Sequence, residues 1–287
     1  MSLAATTLRP IWRLTLAGVF SLLAAGAPKA AEPLRVGMIP DAGATQVSVE
    51  EKAPLQKYLE QQLGRPVTLI IPTNYNATVE GLGNGSLDVA YLGGLTFVKA
   101  RALYGVVPLV QRDVDQRFHS LFITRAGSGI ASVAGLRGKT FCFGDINSTS
   151  GHLYPYLTMK RAGVSVDKGL KSFRYTGSHP ATIQAVAAGV CDAGAVDETV
   201  YKSMASDGKL PAGLTVFYTT PQFADYVWAA RKDLSPQQQQ ALANAFLRLQ
   251  AARDAKVLDI LRGQRFVKAN TQEYADVERV AKELGLM

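Results

Sequence analysis

A chain of 287 residues with 31 basic and 23 acidic side chains and 47% hydrophobic residues has room for one large domain or two of ordinary size. Its formal charge of +8 includes no Lys/Arg block interleaved with aromatics, which excludes a nucleic-acid partner from the reading. Two cysteines without a CxxC and three scattered histidines argue against structural zinc, and no metal or cofactor is expected.

In chain order, residues 1–30 read as a secretory signal peptide. Arg9 and Arg13 precede the apolar run Leu14 to Ala24, which is too short to span a bilayer. Ala25-Gly26-Ala27 and Ala30-Ala31 are candidate cleavage sites, and a retained anchor is the alternative. Removing Arg9, Arg13 and Lys29 lowers the formal charge from +8 to +5, and the mature chain is expected in the periplasm.

Alternating strands and helices follow. Leu34 to Ile39 predicts a strand; Leu55, Tyr58, Leu59 and Leu63 fall on one helical face. Val67 to Ile71 predicts a β-branched strand, a short helix starts at Thr78, and Leu87 to Leu92 gives a third strand. A second series repeats the order: a strand at Lys139 to Phe143, a helix from about Ser150 to Ala162, and a strand at Ser172 to Tyr175. A helix from Ala181 to Ala188 and a strand at Ala193 to Val196 complete it. Phe118 to Thr124 and Ala224 to Ala230 are strand-like and serve as hinge candidates. Ser235-Pro236 opens a helical tail, whose Leu242, Phe246 and Leu249 share a face expected to pack on the first lobe.

The two series are one unit written twice. A shift of 104 positions lays Asp41 on Asp145, Thr45 on Thr149, Ala77-Thr78 on Ala181-Thr182, Gly85 on Gly189 and Asp88 on Asp192. The pattern T-[VI]-x-x-[LV]-x-x-G-x-x-D-[VA]-x-x-[LV] runs from Thr78 to Leu92 and from Thr182 to Val196. Strand–helix alternation predicts two lobes, each with a parallel sheet. The expected division is 31–124 for the first part of lobe I, 125–223 for lobe II, and 224–287 for a return to lobe I with C-terminal helices.

Ligands of open α/β sheets sit beyond the carboxyl ends of the strands. The repeat pairs these loops, setting Thr45 and Gln46 against Thr149 and Ser150, Tyr75 against His179, and Gly93-Gly94 against Asp197-Glu198. Ser148, Thr149 and Ser150 open a helix, where unpaired N–H groups, the helix dipole and hydroxyl donors together suit an anion. N-capping alone needs one hydroxyl, not three. Gly94 and Thr96 start a further helix at which backbone N–H groups can approach a ligand closely. None of these loops carries Lys or Arg. A carboxylate at Asp197 accepts but cannot donate, so it suits an oxyanion that still carries a proton. As alternatives, Asp197 caps the helix starting near Thr199, and His179 is a turn residue before Pro180. Cys142 and Cys191 read equally as a disulfide or as two buried thiols.

The runs FGDINSTSGHLYP (Phe143 to Pro155), HPAT (His179 to Thr182) and GAVDETVY (Gly194 to Tyr201) resemble the phosphonate-binding proteins of ABC importers, and S-T-S-G-H-L is their most specific element. Within that family the chain looks most like the periplasmic phosphite-binding proteins. The resemblance covers residues 32 to 260. It implies an α/β class II periplasmic-binding-protein fold, with two parallel-sheet lobes joined by a two-strand hinge. It implies a monomer that closes over its ligand and delivers it to an inner-membrane permease. It further implies that Tyr75, Ser148, Thr149, Ser150, His179 and an acid at Asp197 or Glu198 contact the ligand. The short loop Tyr91 to Gly94 favours a small ligand, phosphite or methylphosphonate. Two rivals remain. One is a sulfonate binder of the same fold. The other is a hydrolase using Ser150, His179 and Asp197, against which stands the absence of a G-x-S-x-G nucleophile elbow.

Overall fold

Short apolar segments alternating with helices produce eleven strands among the described residues of a computed structural model, which covers residues 1–2, 32–40 and 46–287, with side chains from residue 49 onward in the third stretch. The signal-peptide expectation and Thr45 lie outside the described residues, and so does the side chain of Gln46. The strands are β1 (Leu34–Met38), β2 (Val67–Ile70), β3 (Val89–Leu92), β4 (Val107–Arg112), β5 (Ser120–Arg125) and β6 (Thr140–Phe143). They continue with β7 (Ser172–Tyr175), β8 (Ala193–Asp197), β9 (Leu214–Thr219), β10 (Val227–Ala230) and β11 (Phe266–Lys268).

Six strands form one sheet in the order β11-β4-β10-β3-β1-β2, and five form a second in the order β7-β6-β8-β5-β9. The duplicated unit builds the parallel part of each: β1 lies between β2 and β3, and β6 lies between β7 and β8. Beyond the repeat the strands run antiparallel, so each sheet is mixed and not wholly parallel as the strand–helix alternation predicts. β10 pairs with β3 and β4, β11 pairs with β4, and β5 pairs with β8 and β9. The reason is topological: a chain that leaves one sheet at its carboxyl end and enters the next reverses its direction relative to the strands already there. So β5, which follows the first series in sequence, joins the second sheet, and β10 returns to the first.

The 104-residue shift holds in three dimensions. The helix Tyr75–Gly83 matches His179–Ala187, β3 matches the first four residues of β8, and the helix after β3 starts at Gly94 where its counterpart starts at Glu198. Gly85 and Gly189 both take φ +76°, a left-handed turn that other residues reach only with strain. Each repeat aspartate ties a neighbouring strand: Asp88 Oδ2 accepts from Arg35 N at 2.8 Å, and Asp192 Oδ2 accepts from Thr140 N at 2.8 Å. The shared T…G…D pattern therefore encodes scaffold.

Between the sheets the chain crosses twice, and Phe118 and Phe223 pair there by mutual backbone hydrogen bonds of 2.9 and 3.0 Å. Of the expected hinge segments, Ser120 onward already belongs to β5 and Val227 onward to β10. The crossing itself is therefore shorter than either segment. The tail packs as its periodicity predicts. Ser235 caps the helix Pro236–Leu247 in a capping box with Gln238, and Leu242, Phe246 and Leu249 join the core of the first sheet. Cys142 and Cys191 form a disulfide with Cα atoms 5.8 Å apart, which resolves the two readings left open.

Candidate functional site

The loop that follows β6 is built to expose backbone donors and hydroxyls at one point. Ser148 accepts from Gly151 N at 2.9 Å, and Thr149–Leu153 then form a π-helical turn that runs into the α-helix Tyr154–Arg161. The wider turn replaces the plain α-helical start expected at Ser150, a local deviation often found at functional positions. Gly151 is required sterically: a Cβ there would stand 3.1 Å from Gly144 Cα and 3.1 Å from His179 Cε1. Ser150 is fully buried, and its Oγ has no hydrogen-bond partner.

His179 opens the helix that Ser178 caps, so its ring projects from the helix tip. Its Nδ1 accepts from Asp197 N at 3.2 Å, and its Nε2 lies 3.3 Å from the Tyr226 hydroxyl. Asp197 ends β8 and caps the next helix. Its Oδ1 accepts from Thr199 N at 2.5 Å and Val200 N at 2.9 Å, while Oδ2 is buried without a partner. Capping thus engages one carboxylate oxygen, and the second is buried near the Tyr226 hydroxyl. Burial pushes this carboxyl up, but the His179 ring and the Arg262 and Arg112 guanidiniums outweigh it and hold it below the ordinary range. Glu198 points elsewhere: its Oε1 accepts from His119 N at 3.0 Å and its Oε2 pairs with Lys202. Of the two adjacent acids, Asp197 is therefore the one beside the histidine.

The first sheet supplies the opposite wall. Gly94 N donates to Asp225 Oδ1 at 3.0 Å, and Leu95 N donates to Thr149 Oγ1 at 3.0 Å, so a helix tip of one lobe meets the hydroxyl loop of the other. Gly93 allows this approach, since a Cβ there would lie 3.2 Å from Thr149 Oγ1. Thr96 is buried nearby and turns its hydroxyl back to Gly93 O at 2.8 Å. Tyr75 is buried, and its backbone N–H donates to the Asp145 carboxylate across the cleft. Lys99 Nζ reaches Asn147 Oδ1 at 2.7 Å. Tyr75, Gly94, Thr96, Ser148, Thr149, Ser150, His179 and Asp197 all converge on this closed seam and are almost wholly withdrawn from solvent.

Asp225 is the residue that the sequence reading missed. It sits just before β10, its Oδ1 holds Gly94, and its Oδ2 is buried without a partner. Burial pushes its carboxyl up to about 7; the Gly94 N–H and Thr149 hydroxyl pull it down, and Asp197 and Asp115 push it further up. The signal available was a lone acid inside the apolar run ADYVWAA. Next to it, Tyr226 stacks on Tyr91 at 5.0 Å and over the buried Arg112 at 5.1 Å, which gives the floor of the site a rigid aromatic layer. Arg112 is itself paired with the buried Asp115 at 2.5 Å.

Such a set, with hydroxyls, helix tips, one imidazole and two carboxylates enclosed between lobes, suits a small polar anion carrying a proton. Comparison with known proteins agrees. The family model for ABC transporter, phosphonate, periplasmic substrate-binding proteins matches residues 36–274. The chain belongs to that family. It is 33% identical over 269 residues to the probable ABC transporter phosphite binding protein PhnD1 of Prochlorococcus marinus, covering 88% of this chain and 90% of the relative. It is also 33% identical over 219 residues to the phosphate-import protein PhnD of Mycolicibacterium smegmatis, covering 71% of this chain and 66% of that protein. The solved structure of P. marinus PhnD1 in complex with methylphosphonate superposes with a TM-score of 0.82 at 32% identity, covering 88% of this chain and 98% of the other. The binding protein thus has the two-lobed periplasmic-binding-protein fold expected from its sequence, and it is a substrate-binding component of an ABC importer.

Proposed function

We propose that this binding protein captures phosphite or methylphosphonate in the periplasm, closes its two lobes over the anion and passes it unaltered to an inner-membrane permease. One observation carries the reading: Ser150 Oγ, Asp197 Oδ2 and Asp225 Oδ2 are buried and unpartnered in the same closed seam. Buried polar atoms left unpaired cost about 1–3 kcal/mol each, so they need a guest that pairs with them. A donor satisfies Asp197 and an acceptor satisfies Ser150. A protonated phosphorus oxyanion offers both; sulfate offers acceptors only. One of the two relatives supports the same reading, since it is named for phosphite and its structure holds methylphosphonate, while the other is named for phosphate import.

Capture without chemistry fits the geometry better than hydrolysis. Ser150 Oγ has no partner, so no base activates it, and both His179 nitrogens face other groups, Asp197 N and the Tyr226 hydroxyl. Closure follows from bridging, because a ligand touching both walls favours the shut form by its differential affinity. Calorimetric titration with phosphite, methylphosphonate, hypophosphite, phosphate and sulfate tests the proposal. Tight binding of the first two and none of sulfate is expected. Sulfate binding as tight as phosphite binding, or turnover of a phosphorus ester, overturns it.

A further inference from the structure

One side chain grips the hydroxyl loop from behind. His152 is 1% exposed, and its Nδ1 lies 2.7 Å from Ile146 O. A carbonyl only accepts, so Nδ1 carries the ring proton. Nε2 lies 3.0 Å from the Tyr175 hydroxyl and accepts from it. Burial holds the imidazole down at about 4, which keeps this neutral tautomer in place near neutral pH. Phe143 and Tyr175 wall the ring edge to face, with centroids 5.1 and 5.0 Å away.

The bond from His152 to Ile146 O closes a ring of backbone around Ser148, Thr149 and Ser150. Smaller ties brace it: Asn147 N to Asp145 Oδ1 at 2.7 Å, and Gly144 N to Gly151 O at 2.9 Å. The three hydroxyl residues are therefore bracketed by bonds on both sides, with His152 holding the Ile146 end of the loop. We propose that His152, fixed by Tyr175, is a positioning residue that presets the Ser148–Ser150 cradle for its anion; this rests on the phosphorus-oxyanion reading above. Such pre-organisation raises affinity because the loop has already lost the freedom that binding would otherwise remove.

The test is calorimetric titration of phosphite into His152→Asn, His152→Leu and Tyr175→Phe. An asparagine amide offers an N–H close to that of Nδ1, whereas leucine offers none. His152→Leu is expected to weaken binding about tenfold or more, with His152→Asn within about threefold of wild type. Tyr175→Phe removes one hydroxyl from a side chain that is 38% exposed, so folding is spared; a loss of about threefold is expected, with no further loss when it is combined with His152→Leu. Tyr175→Phe at wild-type affinity, or His152→Asn as weak as His152→Leu, overturns the assignment. If His152→Leu does not fold, the Tyr175→Phe affinity decides alone. A wild-type protein that ignores phosphite overturns the ligand reading, and this inference with it.

Discussion

The helix opening at Tyr75 and the helix opening at His179 start 104 residues apart, have the same length, and are capped alike by Asn74 and Ser178. Their side chains at the cleft differ. The first offers a phenol and the second an imidazole; the next pair of tips offers Gly93-Gly94 in one half and Asp197-Glu198 in the other. The disulfide belongs to the second half alone, and the first half has buried Met38 and Leu87 at the matching positions. Duplication thus preserved the frame, while the residues at the loop tips diverged. The second half became the polar, donor-rich wall, and the first became a lid of glycine, backbone and aromatic surface.

Breaking the polar wall should have the largest effect. Thr149→Val with Ser150→Ala removes two hydroxyls from the cleft, and phosphite affinity measured by calorimetry is expected to fall about 10²–10⁴-fold while the circular dichroism spectrum and melting cooperativity stay intact. Retained affinity would place the anion elsewhere. Next in size is the cross-link that the first half lacks. It closes a loop of 49 residues, and replacing Cys142 and Cys191 by alanine is expected to lower unfolding free energy by about 4 kcal/mol in denaturant titrations. A small effect would mean that packing of the Met38–Leu87 kind suffices in both halves.

Asp225 sharpens the comparison through pH. Its folded-state pKa, about 7, exceeds the ordinary carboxylate value of about 3.9. Between those values the folded chain keeps a proton that the unfolded chain has lost, so Asp225 makes the ligand-free protein less stable as pH rises from about 4 to about 7. His152, lowered to about 4, acts in the opposite sense: its contribution increases with pH between about 4 and 6.5. Asp225→Asn removes only the first effect, so the stability of variant minus wild type should grow by about 2–4 kcal/mol across that window. A difference independent of pH would show that Asp225 does not titrate there. Smallest are the scaffold staples. Asp88→Asn should destabilise by about 1–3 kcal/mol and Asp192→Asn by about 1, because Asp88 is more deeply buried and also holds Arg35 and Arg231. Phosphite affinity should not move in either; a shift would tie the staples to the cleft.

Most of the scaffold was legible because it obeys local rules. Strand alternation, glycine stops at Gly85 and Gly189, and the Ser235-Pro236 helix start are each written within a few residues. The hydroxyl loop was legible for the same reason, since Ser148, Thr149 and Ser150 are consecutive. What stayed hidden depends on neighbours distant in sequence. Asp225 meets Gly94 across 131 residues, so nothing local marks it as part of the cleft. The choice between Asp197 and Glu198 turns on which way two adjacent side chains point at a strand end. β5 and β10 were legible as strand-like segments, but their antiparallel direction was not, because it is set by the crossings and not by their own composition. Pairing of the cysteines required β6 and the turn before β8 to be brought together.

The exchange of β5 and β10 between sheets also orders assembly in time. Every strand of the second sheet is present once residue 219 has emerged, whereas the first sheet waits for β10 and β11, which end at residues 230 and 268. The half encoded second is therefore complete before the half encoded first. During synthesis or export the amino-terminal strands β1, β2 and β3 must persist with an unpaired β3 edge, a stage at which they are open to mispairing or to a chaperone.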